Sequence, residues 1–288
     1  MAGRRAGRFH AGGFHTGGFP AGGCHAGALR ALGRRTGRGA GRTLGTAAAL
    51  ASLAACAPLL GARPLAAARP GRTTLHTMRV GGRTRSFLVH LPPAAAAGRV
   101  PLVLAFHGHH GNASLMRATT NLDAVADSFG VAVVYPNGTG RLGGWLGLSW
   151  NAATCCGRAP RRAVDDVGFA DSLVARLGRA LPVDTARVYA AGFSNGGMLA
   201  LLLACRSAGT YDAVADVAGA MPDTSCRPAR PVSVLLVQGT DDDELRADHV
   251  ELARPNGHGY ARSLAGALRF WGRHAGCAPG RVERDSTR

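Results

Sequence analysis

The stretch Gly192-Phe193-Ser194-Asn195-Gly196-Gly197 constrains the fold of this chain more than any other. Before it stands Arg187-Val188-Tyr189-Ala190-Ala191, short and strand-prone. After it comes Met198-Leu199-Ala200-Leu201-Leu202-Leu203-Ala204, which is helix-prone. A strand must therefore become a helix within a few residues, and backbone bent that sharply needs small side chains beside the turning residue. The pattern fits G-x-S-x-G, in which the serine hydroxyl is held out above the end of a parallel strand. A glycine-rich turn with an incidental serine is the bland alternative, and the two flanks argue against it.

Strands and helices alternate through residues 71–288, which predicts an α/β domain with a mostly parallel sheet and helices on both faces. Residues 73–80 and 83–91 alternate apolar and polar around Gly81-Gly82, the pattern of an antiparallel hairpin at a sheet edge. Val100 to Phe106 is apolar throughout, as a strand buried on both faces requires. A helix is expected from Ser114 to about Phe129, closed by Gly130, and then a strand over Val131–Tyr135 stopped by Pro136. Residues 136–164 read as one long loop carrying Trp145, Trp150 and the vicinal pair Cys155-Cys156, and a loop of that length is usually functional. A helix over Asp165–Leu181, apolar runs at Ala213–Ala220 and Val232–Val237, and a last helix from about Tyr260 to His274 complete the pattern.

The charge is unevenly placed. Residues 1–70 hold ten arginines and no acidic residue, +10 of the formal +17, so most of the excess belongs to a leader and is not a nucleic-acid footprint. Within it, residues 8–27 repeat a glycine-rich five-residue unit. Glycine at that density builds no core to hold His10, His15, Cys24 and His25 as metal ligands, and no metal or other cofactor is expected. Arg34, Arg35, Arg38 and Arg42 then precede an apolar stretch from Leu44 to Leu60 and the small residues Ala66-Ala67-Ala68, the three parts of a secretory signal peptide. Residues 1–70 are accordingly read as a disordered leader with a signal peptide, and 71–288 as the folded domain. Leu53-Ala54-Ala55-Cys56 resembles a bacterial lipobox. Two fates compete: a lipid anchor on Cys56 at the outer face of the cell membrane, or release after about Ala68. Both are extracellular, where disulfides form. Beyond the leader stand Cys155, Cys156, Cys205, Cys226 and Cys277, an odd number that leaves one without a partner.

A serine hydroxyl is a poor nucleophile unless a histidine takes its proton and an acid orients that histidine. With the chain order serine, acid, histidine, the acid belongs on the loop after Val237; Asp242 is the candidate, with Asp241 and Asp243 equally placed by position alone. A solvated acidic loop is the bland reading of the three. Negative charge developing on the substrate oxygen needs two backbone N–H donors. One is Asn195, the residue after the serine; the other is His109 in the loop His107-Gly108-His109-His110-Gly111. His107, at a strand end, reads as a structural hydrogen-bonder.

At these residues the chain resembles the secreted poly(3-hydroxybutyrate) depolymerase and feruloyl esterase group of α/β-hydrolases. The matching pieces are Arg85-Ser86-Phe87-Leu88-Val89-His90-Leu91-Pro92, His107-Gly108 with Gly111-Asn112, Tyr135-Pro136-Asn137-Gly138-Thr139, Trp150-Asn151 with Cys155-Cys156-Gly157, Val164-Asp165-Asp166-Val167-Gly168-Phe169, the serine turn itself, and Val217-Ala218-Gly219-Ala220. The resemblance implies an ester hydrolase that forms an acyl-enzyme on Ser194, with a polyester or a plant cell-wall ester as substrate. It also selects Asp242, because the group's H-G-T-x-D aligns with Gln238-Gly239-Thr240-Asp241-Asp242, with Gln238 in place of the usual histidine. Trp145 and Trp150 are candidates for holding the substrate. The resemblance further implies that the last strand and a G-G-G-H-x-W segment carrying the catalytic histidine, together with the partner of Cys277, lie beyond Arg288, so the chain is expected to be C-terminally truncated and, as written, to lack the family's general base. His249, His258 and His274 follow Asp242; His258, expected on a mobile loop, is the best substitute, and His274 is expected to cap the last helix. A ligand-binding protein without catalysis, gripping an aromatic or polymeric ligand with Trp145 and Trp150, and a serine peptidase on the same scaffold are the competing functions.

Overall fold

The strand-prone runs pair into one sheet whose order is set by where each can bury its apolar sides. The computed structural model describes residues 63–141, 146–153, 155–221, 225–239, 242, 250–254, 257–261 and 263–277. Strands β1 (Arg72–Val80), β2 (Arg83–Leu91), β3 (Val100–Phe106), β4 (Ala132–Pro136), β7 (Val183–Phe193), β8 (Ala213–Val217) and β9 (Ser233–Val237) form a seven-stranded sheet in the order β1-β2-β4-β3-β7-β8-β9. The hairpin β1–β2 turns at Gly81 and Gly82, both at positive φ, and leaves β1 at the edge. β2 meets β4 antiparallel, and from β4 to β9 every pairing is parallel. This is the expected α/β-hydrolase layout, a mostly parallel sheet with helices on both faces.

One face carries α4 (Asp166–Ala180) and α5 (Asn195–Arg206). Eleven of the twelve residues of α5 are buried, because it lies between the sheet and α4. Its side chains join Leu102, Leu104, Phe106, Val188 and Leu173 in the main core. On the other face, α1 (Ala113–Thr120) and α2 (Leu122–Phe129) cover Ala105, Val133 and Tyr135 in a smaller core. The single helix expected over this span is thus two. Asn121 takes φ +50° between them, and the hydroxyls of Thr119 and Thr120 bond back to carbonyls one turn earlier, competing with a continuous helix.

The expected long loop is also partly ordered. It holds a two-stranded sheet of β5 (Thr139–Arg141) and β6 (Leu146–Ser149) and the short helix α3 (Arg158–Arg161). Downstream, β10 (Val250–Arg254) and β11 (Gly257–Ala261) make a hairpin ahead of α6 (Leu264–His274), so His258 lies on a strand opposite Ala253 rather than on a loop, and the last helix begins four residues later than its composition suggests. Cys205 and Cys226 are joined by a disulfide, Cys155 and Cys156 are bonded to each other, and Cys277 is free and exposed.

The folded domain also begins earlier than position 71. Leu65 and Ala68 are buried in the main core, Arg63 N–H donates to Leu75 O at 2.8 Å, and the His76 ring holds Arg63 O at 2.7 Å. Alanine and leucine in this segment look like leader composition because the sequence cannot reveal that α4 and the main core offer them an apolar seat.

Candidate active site

Ser194 stands between β7 and α5 with φ +51° and ψ −120°, a strained conformation for a residue with a side chain. Its N–H donates to Val217 O at 2.8 Å and its C=O accepts from Met198 N, so both neighbouring strand and helix hold the bend in place. The flanking glycines are required by contact. A Cβ on Gly192 would lie 2.2 Å from the Gly196 backbone, and one on Gly196 would lie 2.3 Å from Phe106 O. The start of α5 therefore crosses directly over the end of β3. The Ser194 side chain does not cap the helix.

That crossing brings the two predicted N–H donors into one neighbourhood. Asn195 is the first residue of α5, and a helix has no internal acceptor for the N–H of its first residue. The segment His107–Gly111 follows β3, the strand next to β7, and is tightly wound: Gly111 N donates to Gly108 O, His110 N donates to Leu148 O, and His110 takes φ +65°. His109 lies between them. Its ring is partly buried, with Nδ1 unpaired, and burial together with the neighbouring His110 lowers its pKa.

His107 is structural, as expected. Gly138 N–H donates to Nε2 at 3.0 Å, which puts the ring proton on Nδ1, and Nδ1 donates to Gly108 O at 2.7 Å. Burial drives its pKa down to about 4, only partly opposed by the bond to Gly108, so the neutral ring is favoured near pH 7.

Asp242 follows β9 at the same end of the sheet, and β9 is separated from β7 only by β8. Its carboxylate accepts from Gln238 Nε2 at 2.8 Å. Gln238, which stands where the group's histidine is expected, thus contacts the candidate acid directly. Asp241, Asp243 and His249 lie outside the described residues, as do Trp145, Cys56, His10, His15, Cys24 and His25. His274 sits at the end of α6 with Nδ1 on Phe270 O. Among the described residues, no hydrogen bond links Ser194 Oγ to an imidazole.

Trp150 is a correction. It is 0% exposed, so its ring is out of reach of a substrate, and a ligand grip built from Trp145 and Trp150 loses one of its two members. Its indole N–H donates to His107 O at 2.8 Å, while its backbone pairs with the Asn195 side chain, which accepts from Trp150 N at 2.7 Å and donates to Trp150 O at 3.2 Å. Asn195 Nδ2 also reaches Cys155 O at 3.1 Å. Sequence reasoning missed this clamp because tryptophan in a glycine-rich loop gives no sign of which way its ring turns. It also missed the pair beneath it: Arg85 Nη2 donates to Asp166 Oδ1 at 2.7 Å, and Asp166 Oδ2 accepts from Asn151 N at 2.7 Å.

A cleft of about 690 Å³ opens beside the elbow between α1 and the sheet, lined mainly by apolar groups including Leu115, Met116, Phe193 and Val217, with His109 and His110 also in its wall. Among the described residues, no three His, Cys, Asp or Glu side chains are grouped so as to hold a metal.

The family profile described as esterase PHB depolymerase matches residues 85–240. The chain is 39% identical over 179 residues to the NocK protein of Nocardia uniformis subsp. tsuyamanensis, covering 60% of this chain and 49% of that one. It is 31% identical over 165 residues to feruloyl esterase B of Piromyces equi, covering 55% and 29%. The chain therefore spans about half, or less, of the length of these relatives. Among solved structures, an S-formylglutathione hydrolase from Agrobacterium tumefaciens superposes with a TM-score of 0.45 at 17% identity, over 51% of this chain and 57% of that one.

Proposed function

This chain belongs to the esterase family of poly(3-hydroxybutyrate) depolymerases, and from that membership we propose that it is a serine carboxylic ester hydrolase. Ser194 attacks the ester carbonyl, the N–H groups of Asn195 and His109 receive the charge that forms on the carbonyl oxygen, and water then releases the acyl group from Ser194. Asp242, held by Gln238, orients the imidazole that accepts the serine proton. That imidazole is assigned to none of the described histidine side chains. The observation that carries the reading is the backbone at Ser194: φ +51° at the end of β7, on a segment where glycines let a helix start against the end of a neighbouring strand. Strain of that kind persists only where the surroundings enforce it.

The substrate class is a polyester or plant cell-wall ester. Feruloyl and acetylxylan esterases and a poly(3-hydroxybutyrate) depolymerase are among the chain's relatives, which supports that range. The test is hydrolysis of p-nitrophenyl esters by the full chain, with fluorophosphonate labelling in parallel. Ser194→Ala should remove both signals. Labelling that survives the substitution refutes the assignment.

The protein is exported, and processing falls N-terminal to Arg63. Cutting after Ala68 would strip Leu65 and Ala68 from the core and Arg63 from its bonds to Leu75 and His76, which supports Cys56 over Ala68 as the mature terminus. Mass spectrometry of the mature protein should find a lipid-modified Cys56 at its N-terminus; a terminus at Arg69 overturns this.

A further inference from the structure

We propose that Trp150 is a positioning residue that fixes the distance between the two arms of the oxyanion hole, an inference that rests on the ester-hydrolase reading of Ser194. The two N–H donors come from different elements. Asn195 rides on the start of α5, and His109 rides on the loop after β3. An oxyanion hole works only when its donors are held in place before charge develops, so something must tie these elements together at fixed spacing.

Trp150 touches both. Its main chain makes a two-point contact with the Asn195 amide, through Trp150 N to Oδ1 and Nδ2 to Trp150 O, and its indole N–H reaches the carbonyl of His107, two residues before His109. Both N–H groups of the Asn195 amide and its oxygen are engaged by Trp150 and Cys155, so it has one orientation. The His107 ring, packed 4.9 Å from the indole, is itself locked between Gly138 and Gly108. Behind Trp150, Asp166 takes the N–H of Asn151 and is held by Arg85, whose guanidinium lies 3.9 Å from the Phe169 ring and 5.8 Å from the Trp150 ring. The wall is therefore anchored from both β2 and the loop after β3, and Trp150, Asn195, His107, Asp166 and Arg85 are all buried, where water competes little for their contacts.

A tryptophan that only filled the core would tolerate loss of its N–H once packing was restored. One that sets donor spacing would not. The experiment is steady-state hydrolysis of p-nitrophenyl acetate by the full chain in four forms: wild type, Ser194→Ala, Trp150→Phe, and a variant carrying the benzothiophene isostere of tryptophan at position 150, which keeps the shape and lacks the donor. Donor misplacement should lower kcat about tenfold to a hundredfold in both position-150 variants, with KM held within about twofold. If Trp150→Phe does not fold, the isostere alone decides. Wild-type kcat in the folded isostere overturns the proposal while leaving the esterase reading intact. A wild-type rate no higher than that of Ser194→Ala overturns both.

Discussion

The sheet has two halves that look alike in sequence and differ in cover. In the half built from β2, β4 and β3, helices lie on both faces: Leu104 and Phe106 are buried under α5, and Ala105 and Tyr135 under α1 and α2. In the half built from β7, β8 and β9, the face toward α5 is covered, but the opposite face shows a row in register, Phe193, Val217 and Val237, with Leu235 beside it. Phe193 is 50% exposed and Leu235 58%. The apolar run Val234-Leu235-Leu236-Val237 is as hydrophobic as that of β3. What differs is whether a neighbour packs across it, so hydrophobicity along a strand reports the capacity for burial and not burial itself. Ser194 sits at the seam between the halves, which is where the backbone of one element can approach another without a helix in the way.

Buried acids repeat the contrast. Asp166, which tethers the first half to the Trp150 wall, has Arg85 and Asn151 as partners, while Asp216 on β8 has a buried Oδ1 with no partner and only the Gly219 amide to offset its desolvation. The largest expected effect is therefore Asp166→Ala, which leaves Arg85 buried and unpaired at a cost of about 3–5 kcal/mol in denaturant unfolding. A loss below about 1 kcal/mol would mean that the pair does not anchor this half. Leu104→Ala should follow closely, at about 2–5 kcal/mol, because its site is closed on both faces.

Asp216→Asn should act in the opposite direction and with pH. Burial raises the Asp216 pKa to about 7, against an ordinary value of 3.8. The folded state then binds one more proton than the unfolded chain between those values, so stability falls as pH rises from about 4 to about 7 and is flat above. The substitution should raise Tm at pH 8 and leave it nearly unchanged at pH 4. Equal shifts at both would show that the carboxylate is not the source. Smallest is Leu235→Ala, expected within about 0.5 kcal/mol of wild type because its side chain is already in water. A loss comparable to that of Leu104→Ala would erase the distinction between the halves.

Much of this was legible beforehand, for reasons that are local. Gly81-Gly82 dictates a hairpin turn, β3 announces itself by an unbroken apolar run, and the glycines around Ser194 are there because the elbow leaves no room for a Cβ. His107 could be read as structural from its place at a strand end, and its two ring bonds agree. The failures are equally specific. Residues 63–68 have the composition of a leader because their packing partners lie on α4 and in the core, and the burial of Trp150 cannot be read locally because ring direction depends on Asn195 and His107, distant in sequence. Asn121 broke a helix that composition had joined.

The sequence by itself determined that residue 194 would sit on a sharp bend between a strand and a helix, since spacing and side-chain size leave that segment no other shape. Only the tertiary structure decided which groups would stand around it. The clamp of Trp150 on Asn195 and His107, the Gln238 amide on Asp242 and the uncovered face beside Phe193 all arise between segments far apart along the chain, where local preference carries no information and packing alone selects the neighbour.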